Sequence, residues 1–156
     1  MIPPKINLGQ HWSVQLSALF YNNKEYGHLP NTILGYKIPY FQRPLVWTLE
    51  QKIKLIESLW CGIPIGTFTI NENSKNKELD NILIDGQQRI NAISEYINDK
   101  FPVYGKLYSE VKDLHGRFNT SSFSQYVTDS DDIEYLKNYY NLMNFGGTAH
   151  KEAERV

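Results

Sequence analysis

Asp85-Gly86-Gln87-Gln88-Arg89 joins a short apolar run, Leu83-Ile84, to a segment in which Ile90, Ile93 and Ile97 recur at helical spacing. A strand that ends in glycine and feeds a helix start leaves backbone N–H groups unpaired at the positive end of the helix dipole. That geometry suits an anion, most often a phosphate. Gly86 lets the backbone approach closely, and Arg89 adds a forked, permanent charge. Asp85 has the oxygen chemistry to hold a water or a divalent ion, Mg²⁺ beside phosphates. The same residues also fit an ordinary turn, with Asp85 as a helix cap and Arg89 solvated. Spacing alone leaves both readings open.

Two further polar clusters sit at predicted element boundaries. Gln42-Arg43 follows Ile38-Pro39-Tyr40-Phe41, and Asn144-Phe145-Gly146-Gly147-Thr148 closes the last patterned segment. Two arginines and two glycine-assisted turns could surround a polyphosphate, forks and amides taking its oxygens. The plainer alternatives are a cation–π contact of Arg43 with Trp47 and a helix stop at Gly146-Gly147.

Other chemistries are poorly served. His11, His28, His115 and His150 are scattered without zinc-ligand spacing to Cys61. Gly62-Ile63-Pro64-Ile65-Gly66-Thr67 lacks the lysine of a phosphate loop. His115 stands alone in a surface loop, not in a His-Asn-His nuclease pattern. A metal-dependent nuclease would need Asp85 to share its ion with a second carboxylate, Glu57 or Glu95.

The elements that must carry these residues follow from periodicity. A helix is expected over about Ser13 to Tyr21, with Ser13 as cap and Leu16, Leu19 and Phe20 inward. Tyr36 to Phe41 reads as extended. Thr48-Leu49-Glu50-Gln51 is a capping box that opens a helix burying Ile53, Ile56, Leu59 and Trp60, and Gly62 ends it. Strands follow at Ile65–Ile70 and Asn81–Ile84, then a helix to about Asn98. Residues 101 to 130 are weakly patterned, with strand-like pieces at Phe101–Tyr104 and Ser122–Val127. A last helix begins near Asp131 and carries Ile133, Leu136, Tyr140 and Met143. Its Tyr135, Tyr139 and Tyr140 suit core packing better than an interface.

The chain has 156 residues and a net charge of −1. The length supports a real core, and the charge excludes a strongly basic nucleic-acid clamp. Cys61 is the single cysteine, so no internal disulfide is available. Beside Trp60 it reads as a small core residue in a reducing compartment. The N-terminus has no apolar signal core, and no membrane span is expected. Abundant tyrosine and asparagine suggest AT-rich coding.

In combination, Ile38-Pro39-Tyr40-Phe41-Gln42-Arg43-Pro44-Leu45-Val46-Trp47, Pro64-Ile65-Gly66 and Ile84-Asp85-Gly86-Gln87-Gln88-Arg89 resemble the N-terminal domain of GmrSD-type restriction enzymes, within the ParB/sulfiredoxin-like superfamily. Asn144-x-Gly146-Gly147-Thr148 with Glu154 resembles a further signature, so the likeness runs from about Ile38 to Glu154. It implies a compact α/β (α+β) fold, a small mixed sheet flanked by helices, as one domain over 1–156. It also implies nucleoside triphosphate binding or hydrolysis that regulates an attached nuclease acting on modified phage DNA.

Carried over residue by residue, Gln42 and Arg43 would line the pocket with Gly86. Asp85 would organise Mg²⁺ or a water, Gln87 and Gln88 would position phosphate or the attacking water, and Arg89 would bind phosphate. Asn144, Gly146, Gly147 and Thr148 would close the site. Such a site works by positioning and charge stabilisation. Phe145 and His150 depart from the family's closing motif. Larger members continue into a His-Asn-His nuclease domain, which is not expected within residues 1–156. Short relatives are typical of phage and mobile elements, which sets the expectation of a cytoplasmic protein, in the host if phage-encoded. Expected partners are a nucleoside triphosphate, DNA or a host restriction or defence protein, and a second copy in a homo-oligomer. A stand-alone DNA nickase and a non-enzymatic inhibitor module are the alternatives.

Overall fold

A computed structural model describes residues 1–145. Along the chain run β1 (Gln10–Gln15), α1 (Leu16–Tyr26), β2 (Thr32–Ile33), β3 (Tyr36–Lys37), α2 (Leu49–Trp60), β4 (Thr67–Asn71), β5 (Ile82–Asp85), α3 (Gln87–Ile97), α4 (His115–Asn119), β6 (Ser122–Thr128) and α5 (Ile133–Phe145). The strands form one six-stranded sheet, ordered β1-β6-β4-β5-β3-β2. The β4–β6 and β3–β5 pairs are parallel and the others antiparallel. This is the mixed α/β arrangement that the order of elements implies.

Side-chain alternation along the central strands sorts the two faces. Phe68 and Ile70 of β4 and Leu83 of β5 pack with Ile56, Leu59, Ile90 and Ile93 of the helices on one side. Ile82 and Ile84 pack with Phe41 and with Leu136, Tyr139 and Tyr140 of α5 on the other. Tyr139 and Tyr140 are fully buried, so they belong to the core as expected. Because both faces are covered, β5 reads as a continuous apolar run rather than an alternating one.

A buried amide fixes how α5 approaches the sheet. Asn71 Nδ2 donates to Leu79 O (2.7 Å) and Ser130 O (2.9 Å), while its Oδ1 accepts from Thr128 Oγ1 (2.7 Å) and Ser130 N (2.9 Å). All four hydrogen-bonding positions of the side chain are used.

Several expectations are corrected. Ser13 is not a helix cap: it lies in β1, paired with Ser124 of β6, and α1 starts three residues later. β1 is exposed along most of its length, so it offers little hydrophobic signal. α1 runs on to Tyr26, beyond the expected end at Tyr21, through a solvated last turn that carries no apolar periodicity. The extended segment after Tyr36 pairs only to Lys37, since Pro39 has no N–H for a ladder. Phe101 to Tyr104 contributes a single bridge, Val103 to Lys106. Cys61 is exposed, because it caps α2 beyond the face that buries Leu55, Ile56 and Leu59. His115 opens α4 and stacks on Tyr108 at 3.7 Å. Among the described residues no helix is long and apolar enough to cross a membrane.

Candidate functional site

β5 delivers Asp85 to the end of the sheet, where the chain must turn sharply into α3. Gly86 makes that turn at φ +97°, as the N-cap of α3 and without a side-chain cap. A Cβ there would lie 2.6 Å from Phe68 Cβ, so glycine is required both by conformation and by space. The first bond inside α3 is Ile90 N to Gly86 O, 3.0 Å. The N–H groups of Gln87, Gln88 and Arg89 therefore precede the helical ladder.

These amides open onto a cleft of about 240 Å³, walled by Asp85, Gln87 and Arg89 from one side and by Gln42, Arg43 and Trp47 from the other. Met143 and Asn144 of α5 close one end, and Thr67 adds to the floor. The structure thus brings together the two motifs that lie more than forty residues apart in sequence. Asn144 joins them, its Nδ2 donating to Tyr140 O at 2.8 Å. Gly146, Gly147 and Thr148, with His150 and Glu154, lie outside the described residues.

The glutamines divide by what their amides touch. Gln42 Nε2 donates to Leu83 O (2.9 Å) and Ile84 O (3.0 Å), taking the edge of β5 just where β3 has ended. Gln88 is buried; its Oε1 accepts from Val46 N (3.1 Å) and Trp47 N (3.2 Å), and its Nε2 donates to Pro44 O (3.2 Å). Both side chains hold the Pro39–Thr48 loop against the sheet and helix. Arg43 N, within that loop, donates to Tyr140 OH at 3.1 Å. Gln87 is different: its Oε1 is buried and lacks a hydrogen-bond partner among the described residues, a state that calls for a donor.

Arg89 Nη1 donates to Thr67 O at 2.9 Å. Its guanidinium lies over Gly66, where an added Cβ would come within 3.1 Å of the guanidinium carbon. Together with its left-handed φ of +92°, that accounts for the glycine of Pro64-Ile65-Gly66. Trp47, the last residue of the Ile38–Trp47 motif, also lines the cleft, as do Thr67 and Met143, to which the sequence assigns no site role. Thr67 follows directly on Pro64-Ile65-Gly66, a signal that adjacency could have supplied.

Burial lifts the Asp85 carboxyl above its ordinary 3.8; the Arg89 charge and the Gly86 N–H pull the other way and do not cancel it. The nearby Tyr139 hydroxyl is pushed up to about 12, chiefly by burial, with the Asp85 charge adding to it. Asp85 is the acidic side chain among the cleft's described lining residues. Glu95 is taken up by Lys52 Nζ at 2.6 Å and by Asn91 Nδ2 at 2.8 Å, and neither Glu57 nor Glu95 lines the cleft. Among the described residues no group of three His, Cys, Asp or Glu side chains is placed to hold a metal ion.

A family profile for the N-terminal domain of the GmrSD restriction endonucleases matches residues 17–155. The chain belongs to that family. No curated protein and no solved structure gives a significant match. The GmrSD N-terminal profile spans all the elements that build the cleft, and membership gives the chain a restriction-related setting.

Proposed function

We propose that the cleft of this GmrSD N-terminal domain binds the polyphosphate of a nucleoside triphosphate and supports its hydrolysis. The observation that carries this reading is the convergence of Arg43, Arg89 and the uncapped start of α3 on one cavity of about 240 Å³. Forked guanidinium groups and free helix amides are matched to phosphate oxygens in both charge and direction.

A lone carboxylate suits Mg²⁺ that arrives with the nucleotide. Such an ion keeps phosphate oxygens and waters in most of its shell and needs only one or two protein carboxylates. Asp85 would hold it, and the ion would neutralise charge on the β and γ oxygens. The protein's own part is positioning. Arg89 and the Gln87–Arg89 amides fix the phosphates, and Gln42 and Gln88 set the loop that brings Arg43 across from them. Gln87, whose buried Oε1 has no partner among the described residues, would turn that oxygen into the cleft to accept a hydrogen bond from the attacking water.

Calorimetric titration of the protein with each of the four nucleoside triphosphates and Mg²⁺ tests the binding claim. Wild type is expected to bind at least one of them, and Arg89→Lys to lose about tenfold in affinity, since one charged hydrogen-bonding fork is exchanged for a point charge. Phosphate release in the same samples tests hydrolysis. No nucleotide bound by wild type would remove the proposal; binding without release would confine it to a sensor.

A further inference from the structure

At the opposite ends of α2 and α3 from the cleft, the weakly patterned stretch after Phe101 helps to build a second hollow. Its volume is about 180 Å³, with Trp60, Tyr104, Lys106 and Arg117 on its walls and Val111 and Leu114 beneath. The aromatic wall is fixed from behind. Trp60 Nε1 donates to Tyr96 OH at 3.0 Å, the Trp60 ring packs on Phe118 at 4.9 Å, and Arg117 Nη2 donates to Trp60 O at 2.9 Å. The Arg117 guanidinium carbon sits 5.7 Å from the centre of the Trp60 ring.

Tyr104 is the feature that ordinary packing does not explain. It occupies the tip of a two-residue turn closed by the Val103–Lys106 bridge, at φ +53°, followed by Gly105 at φ +73°. Asparagine, aspartate or glycine normally fills such a position, because a bulky side chain there is strained. The ring gains little burial in return: 63% of the residue is exposed. Its hydroxyl meets Cys61 Sγ at 3.5 Å, which ties the exposed ring to the hollow that it lines. Strain kept at an exposed aromatic points to a ligand.

We infer that this hollow takes an unpaired nucleotide of a single-stranded nucleic acid, the base stacking on Tyr104 and the phosphate meeting Lys106 and Arg117. The charge supports that occupant. Neither cation makes an ion pair among the described residues, and the acid that bears on the Tyr104 hydroxyl, Glu57, is opposed there by Arg117. Aromatic faces interleaved with cations bind bases with little sequence preference. The site is separate from the cleft and stands whether or not the cleft binds nucleoside triphosphates.

The test uses the full chain and short fluorescein-labelled oligothymidylate and oligouridylate, read by anisotropy at low salt. Wild type is expected to bind at least one of them. Tyr104→Gly, which suits the left-handed turn and should melt no lower than wild type, is expected to weaken binding by about fivefold or more. Lys106→Gln should weaken it less and flatten its salt dependence. The inference is overturned if wild type binds neither strand, if Tyr104→Gly binds as wild type does, or if an abasic phosphodiester of equal length binds equally well. It is also overturned if excess nucleoside triphosphate displaces the strand, which would place the contact in the cleft.

Discussion

Two helices of this protein begin beside the Pro39–Thr48 loop, α2 at its end and α3 packed against it through Gln88, and solve the same problem in opposite ways. α2 closes its own N-terminus: Thr48 Oγ1 accepts from Gln51 N (3.2 Å), and Gln51 Oε1 accepts from Thr48 N (2.8 Å). α3 starts on Gly86 with no side-chain cap. Its second residue, Gln88, reaches away to hold Val46 and Trp47 instead. One glutamine folds back to satisfy its helix; the other builds the wall of a cleft and leaves the amides to whatever enters. On the proposed reading, a helix start becomes a binding site when the side chains that would silence it are employed elsewhere and cations are brought across from it.

The largest test of that contrast is Gly86→Ala. A Cβ at φ +97° that also lies 2.6 Å from Phe68 Cβ should cost about 2–5 kcal/mol, combining left-handed strain with overpacking. Gly62→Ala is the control. It ends α2 at φ +74° with nothing within 4 Å of the added carbon, so only the strain of about 1–2 kcal/mol applies. Chemical denaturation of both variants separates the two costs. Equal losses would mean that Gly86 is a turn residue only, and that close packing on β4 does not shape the site.

Next in size is Gln88→Ala. Val46 N and Trp47 N lose their acceptor, which should cost about 1–3 kcal/mol. The loop that carries Arg43 is released with them, so triphosphate affinity should fall although the Gln88 side chain is bonded to the loop and not aimed at phosphate. Gln51→Ala removes the equivalent amide from α2 and should leave that affinity unchanged. A Gln88→Ala protein that binds nucleotide normally would show that the loop holds its position without the amide.

The same contrast explains how much could be read in advance. Thr48 and Gln51 announce a capping box within four residues, and the structure contains it. Asp85 to Arg89 announced a helix-start turn, and Gly86 makes it. What local pattern could not give is direction. Gln87 and Gln88 are adjacent and identical in type, yet among the described residues one leaves its oxygen without a partner and the other is bonded through both amide atoms to residues 41–44 positions earlier in the chain. That difference arises from tertiary contacts. β1 was missed for a related reason: an exposed strand, made by pairing with β6 across more than one hundred residues, carries no apolar alternation strong enough to compete with the helix that follows.

A smaller effect comes from charge. Burial holds the Asp85 carboxyl above its ordinary 3.8 in the folded protein. The unfolded chain therefore loses this proton first as pH rises, and the native state is disfavoured from that point upward. Below the ordinary value both states are protonated and the penalty vanishes. Asp85→Asn should accordingly raise the melting temperature of the nucleotide-free protein at pH 7, with the gain shrinking as pH falls through the raised folded value toward the ordinary one. The same substitution should abolish Mg²⁺-dependent nucleotide binding. A variant that loses both stability and binding would place Asp85 among structural residues, as part of the turn.

The smallest effect asks whether the two helix starts are independent. Thr48→Ala should cost about 1 kcal/mol, as loss of a cap usually does, with no change in triphosphate affinity. Thr48 follows directly on Trp47, whose N–H is held by Gln88 at 3.2 Å, so the capping box of α2 and the Gln88 contacts share a stretch of backbone. If α2 merely anchors the loop's far end, Thr48→Ala and Gln88→Ala should add to within about 0.5 kcal/mol in a double-mutant cycle. A larger coupling would mean that the capping box tensions the loop against α3. The self-satisfied helix would then belong to the cleft after all, as the fixed end of the strap that carries Arg43.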